Sequence, residues 1–227
     1  MGSRSSKKET KNEEIVIKEV DPNPKFGEKI IDSKVNNDIT YSNNFEYDGS
    51  PAGIKQQLKH HSILSGKFDV VLGYLKKSAN EQINLIKIYT ATIDGDTNLH
   101  KFIDRKGPTV MIISANGQMF GAYTSLSWKT NEGFLTDKEA FLFSVTDNIK
   151  LPIDQGKNYW AIYAVDKAYT YFGYPCDLII QYDFLRNTTN QSKNTNGTYP
   201  STSGKFLAGS EFFMIDELEV FKVERNI

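Results

Sequence analysis

A single cysteine, Cys176, excludes an intramolecular disulfide and any thiolate zinc cluster, and it fits a reducing compartment. No apolar stretch approaches the ~20 residues that span a bilayer, and the first residues lack the apolar core of a secretory signal. The chain is therefore expected to be cytoplasmic. Excess charge of one sign is missing as well: 27 Lys plus Arg face 28 Asp plus Glu, so no global field draws the chain to nucleic acid. Histidines number only three, His60, His61 and His100. The first two are adjacent and have no third ligand in sight, so no metal site is expected and surface positions are the default. No phosphate loop, metalloprotease helix, kinase signature or nucleophile elbow occurs, and no cofactor is expected.

What is abundant is aromatic. Fourteen Phe and twelve Tyr against four Met point to β-structure, because aromatic and β-branched side chains pack well on a pleated surface. The clearest local signal is Gly107 to Ser125, where two apolar runs flank Asn116-Gly117. That dipeptide tolerates the two positive-φ positions of a type I′ turn, which predicts a β-hairpin. Along Thr109 to Ser114 both alternating faces are apolar, Val110 and Ile112 on one and Met111 and Ile113 on the other. Such a strand belongs inside a sheet covered on both sides.

Residues 1–45 are polar, and too little apolar surface is available there to offset ordering entropy, so a flexible arm is expected, with the folded domain over 46–227. The arm opens Met1-Gly2-Ser3-Arg4-Ser5-Ser6-Lys7-Lys8, an N-myristoylation pattern with Gly2 as the acceptor. An accidental Met-Gly-Ser start is the alternative. A single acyl chain binds membranes weakly, so Arg4, Lys7 and Lys8 would supply a second, electrostatic contact with anionic lipid.

Phe68, Val71, Leu72 and Leu75 fall at helical spacing and predict a helix over 65–77. A strand follows over 83–90, then a short helix with Leu99, Phe102 and Ile103 on one face. Asp94 and Asp96 do not make a calcium loop, since the sixth position lacks Gly and the twelfth is Arg105; Asp96 reads as a helix N-cap. Further strands are expected over 140–146, 159–165, 176–182 and 212–223, with an aromatic turn at 169–175. The Asn-, Ser- and Thr-rich stretch 187–204 reads as a mobile surface loop, and its N-x-[ST] triplets at Asn187, Asn190 and Asn196 as products of composition. Cys176 reads as a small core hydrophobe.

Glu217 and Glu219 are the chemical candidates. At i and i+2 of a strand they share one face, together with Phe213, Ile215, Phe221 and Val223. Two acids there allow a proton-shuttling pair, a metal site or a docking surface. Pairing with Lys or Arg of a neighbouring strand, or a bulge that turns one of them to solvent, is the favoured account.

Taken together, the hairpin followed by Trp128, Ala140 to Thr146, Phe172-Gly173 with Asp177-Leu178, Phe206 to Ser210 and Glu217 to Phe221 resemble the TLDc domain of the oxidation-resistance family, from about Ser62 to Val223. The resemblance implies a β-rich α+β fold, a two-sheet antiparallel β-sandwich flanked by a few helices. Two positions depart from it: Ala122 stands where the family has a second Gly, and Tyr174-Pro175-Cys176 replaces a Gly-Gly-His segment. The implied function is a non-catalytic regulatory protein that binds subunits of the vacuolar-type proton-pumping ATPase or protects against oxidative stress, peripheral on endolysosomal membranes. A structural component of a cytoskeletal or ciliary assembly is the competing reading. An enzyme using Glu217 and Glu219 is the third.

Overall fold

The computed structural model describes residues 62–226 apart from 131, 166–168, 176, 194–195 and 203. The Gly2, Arg4, Lys7 and Lys8 arm, the 45/46 boundary, His60, His61 and Cys176 lie outside the described residues.

The hairpin is the centre of the first sheet. In chain order its strands and those of the second sheet begin with β1 Gln82–Thr90, β2 Thr109–Ala115, β3 Gln118–Thr124, β4 Phe134–Leu135, β5 Phe141–Ser144 and β6 Ile149–Pro152. They are followed by β7 Ile162–Val165, β8 Tyr169–Phe172, β9 Leu178–Gln181, β10 Asn190–Ser192, β11 Phe212–Phe213 and β12 Glu217–Asn226. Two six-stranded sheets result, ordered β1-β12-β2-β3-β5-β6 and β11-β10-β9-β8-β7-β4, with every paired strand antiparallel. Asn116 and Gly117 both take positive φ, 51° and 72°, as the type I′ turn requires. The fold is the two-sheet antiparallel sandwich that the sequence predicts.

Covering explains the doubly apolar β2. Met111 and Ile113 join Phe120, Leu142, Leu218 and Val220 against Ile162, Phe172, Leu178 and Ile180 of the second sheet. On the opposite face Val110 and Ile112 join Phe143, Phe221 and Val223 under Leu64, Val71, Leu72 and Leu75. The last three belong to helix α1, Phe68–Leu75, which is shorter than the 65–77 expected. Two short helices, α2 Ala91–Asp94 and α3 Leu99–Ile103, follow β1.

Four expectations are corrected. The stretch 169–175 is strand β8 followed by a turn, because Tyr169 to Phe172 pair with both β7 and β9. The segment 212–223 is two strands in two sheets: Phe213 and Ile215 lie in the inter-sheet core, so they do not share a face with Glu219. Asp96 is not a helix cap, since α3 starts at Leu99 with Asn98 in the N-cap position. The stretch 187–204 is not all surface loop. Asn190 is buried on β10, its amide group donating to the carbonyls of Phe184, Asn187 and Phe213 and its Oδ1 accepting from the Gln181 N–H. Composition reads polar residues as solvated, whereas a buried amide that meets its partners stays inside.

Candidate functional site

Three groups of ionisable side chains are built into this frame. Glu219 is 2% exposed on β12, facing the α1 side of the first sheet. Its Oε1 lies 2.8 Å from Lys87 Nζ on neighbouring β1, and Ser62 Oγ donates to Oε2 at 2.5 Å. A register shift between Lys87 and Tyr89 sits beside this pair. Glu217, on the same strand face, accepts instead from the Thr92 N–H at 3.2 Å and from the Thr92 hydroxyl, which ties α2 to the strand end. The two acids therefore occupy separate hydrogen-bond networks. Because the Lys87 side chain is itself only 11% exposed, removing its carboxylate partner leaves a poorly solvated ammonium. Glu219→Ala is expected to cost about 3 kcal/mol by urea unfolding, and Glu219→Leu combined with Lys87→Met to recover most of that loss. Equal stability of Glu219→Ala and the parent would show that the pair carries no such energy.

The second group surrounds a cavity of about 510 Å³ lined by α3, the segment before it, Thr130 and the end of β9. His100, expected at the surface, is instead half-buried. Its Nδ1 is 2.8 Å from Asp104 Oδ1 and its Nε2 is 2.9 Å from Thr170 Oγ1, with the ring edge-on to Trp128 at 5.9 Å. A carboxylate only accepts, so in the neutral ring Nδ1 carries the proton and Nε2 accepts from the Thr170 hydroxyl. The chain Asp104–His100–Thr170 thus fastens α3 to β8 of the second sheet. Asp104 Oδ2 also accepts from the N–H and hydroxyl of Thr130. Asp96 lies on the same cavity and meets Arg186 Nη2 at 3.3 Å. Neither Glu217 nor Glu219 lines it.

The third group is Asp177, 2% exposed at the turn between β8 and β9. Oδ2 accepts from the N–H groups of Thr198 and Tyr199 at 2.8 and 3.1 Å, whereas Oδ1 is buried with no hydrogen-bond partner among the described residues. Gly173 and Gly197 enclose the carboxylate: a Cβ at either would lie within 2.9 Å of Asp177 Cγ. Around it, Lys157 Nζ donates to the Gly197 carbonyl and Lys193 Nζ to the Pro175 carbonyl. Burial pushes this carboxyl up to about 6, against the downward pull of the Tyr199 and Thr198 amides and the two lysines. Its sequence signal was the Phe172-Gly173 and Asp177 spacing, which carries no hint of burial.

Among the described residues no group of three His, Cys, Asp or Glu is placed to hold a metal ion, and no helix is long and apolar enough to cross a membrane.

A two-sheet sandwich of this topology, with one helix-covered face and ionisable groups committed to tying elements together, defines a β-sandwich module. The chain belongs to the TLDc-domain family: the TLDc domain matches residues 58–224. It is similar to the MTOR-associated protein MEAK7 of Danio rerio, 30% identical over 131 residues, which is 52% of this chain and 27% of that protein. The match thus spans about a quarter of that relative's length.

Proposed function

We propose that the chain is a non-catalytic regulator whose TLDc domain docks on a protein assembly, the vacuolar-type proton-pumping ATPase, and that resistance to oxidative stress is the outcome. The observation that carries this reading is membership of the TLDc family across residues 58–224. A rigid sandwich biases a partner's assembly state by binding one state more tightly than the other. The separate structural commitments of Glu217 and Glu219 support docking over proton transfer, because a shuttling pair needs both groups at one reacting atom. Glu217, half-exposed at the end of β12, is the member of the pair within reach of a partner. Acylation of Gly2, with Arg4, Lys7 and Lys8 on anionic lipid, would hold the regulator at an endolysosomal surface. The name of the Danio rerio relative supports a second assembly, one containing mTOR.

Affinity purification of the full chain and of Gly2→Ala from the native cell, with mass spectrometry of bound proteins and of the N-terminal peptide, tests the proposal. Proton-pump subunits and an acylated Gly2 are expected, with loss of membrane fractionation in the variant. Recovery of mTOR components would favour the second assembly. A cytoskeletal or ciliary assembly recovered with a free N-terminus would overturn the regulator reading.

A further inference from the structure

The cavity beside His100 carries acids and bases that differ in their commitments. Asp96 is 8% exposed and held by Arg186. Asp104 uses Oδ1 on His100 and Oδ2 on Thr130. Both acids on the lining are therefore engaged from within the fold. Lys101 and Arg105 line the same cavity, are exposed, and make no ion pair or side-chain hydrogen bond among the described residues. The lining thus presents two cations with open donors and no competing free carboxylate.

The backbone of Arg105 is fixed at the edge of this cavity. Its φ of 59° is a left-handed conformation that non-glycine residues rarely adopt, and its N–H donates to the Trp128 carbonyl at 3.0 Å. The turn that imposes this conformation follows α3 directly, so Lys101 on α3 and Arg105 border one opening. A guanidinium fork offers two parallel donors to a carboxylate or phosphate, and an ammonium adds a point charge beside it. The cavity's volume of about 510 Å³ is within the range of small-ligand pockets.

We propose that this cavity is a binding site for an anionic ligand, its carboxylate or phosphate taken by Lys101 and Arg105. The ligand is either a free organic anion or an acidic side chain of a protein segment. The chemistry read by the two cations is the same.

The test uses the full chain at low ionic strength, titrated in parallel with citrate, inorganic pyrophosphate and a hexaglutamate peptide. The Trp128 indole N–H resonance reports binding, since that indole donates to Thr109 Oγ1 and its ring meets His100 at the cavity. At least one probe is expected to shift this resonance saturably, and Lys101→Glu with Arg105→Glu to weaken that binding at least about tenfold. Because both side chains are exposed, the double variant should keep the parent's thermal unfolding midpoint. Saturation by citrate or pyrophosphate identifies the free-anion source, and saturation by the peptide alone the protein source. No shift with any probe, or equal affinity in the double variant, overturns the proposal.

Discussion

Gly121→Ala is expected to lower the thermal midpoint by about 10 °C, corresponding to roughly 3 kcal/mol. Gly121 sits in the middle of β3, opposite Ile112 of β2 and Phe143 of β5. An added Cβ would fall inside van der Waals contact of the Met111 carbonyl oxygen and 2.6 Å from Phe143 Cζ. Neither neighbour has room to yield. The Met111 carbonyl is part of the sheet backbone, and the fully buried Phe143 ring packs on Phe141 and Tyr74 at 5.9 and 5.7 Å. The methyl would therefore separate strands or drive the ring from its place under α1. Circular dichroism melts of Gly121→Ala and of Gly121→Ala with Phe143→Leu check the mechanism, because the smaller leucine should return part of the loss. A single variant melting within 2 °C of the parent would refute the steric account.

The second large effect depends on pH. Asp177 has its folded-state pKa raised from an ordinary 3.8 to about 6, so the folded domain holds this proton more tightly than the unfolded chain does. The sign follows directly. Protonated Asp177 favours the fold, and this contribution is fully present below pH 3.8. It declines as pH rises and is lost above about 6, a change of about 3 kcal/mol. Asp177→Asn keeps an oxygen to accept from Thr198 and Tyr199 but cannot ionise. The difference in unfolding free energy between parent and variant should therefore move by about 3 kcal/mol between pH 3 and 7. Urea melts across that range measure it. A difference that stays constant with pH would mean that Asp177 ionises in the folded domain as it does in the open chain.

The same buried carboxyl marks a boundary between composition and contact. Period and turn chemistry made the hairpin, α1, β1 and the sandwich class legible, since Asn116-Gly117 admits few backbone solutions and β2 must be covered on both faces. The family pattern was legible for the related reason that it is written in chain-local motifs. Local pattern also misplaced several pieces. The stretch before Gly173 carries aromatics suited to a strand and a turn alike, and only pairing with β7 and β9 makes it β8. The Asn-rich 187–204 stretch reads as solvated, yet Asn190 becomes a buried hub once Phe184 and Phe213 bring their carbonyls to it.

Candidate chemistry divides in the same way. The sequence by itself determined that Glu217 and Glu219 share a strand face, because that face alternates with a period of two. It could not determine that Lys87 and Ser62 would take one acid and Thr92 the other, since these partners lie 125 to 157 residues away along the chain. His100 and Thr170 are likewise 70 residues apart. Tertiary structure alone decided that they meet, that Asp177 loses its water, and that Lys101 and Arg105 line one cavity. The physical reason is that hydrogen bonding and desolvation depend on distances of a few ångströms in space, whereas the sequence orders residues only along the chain.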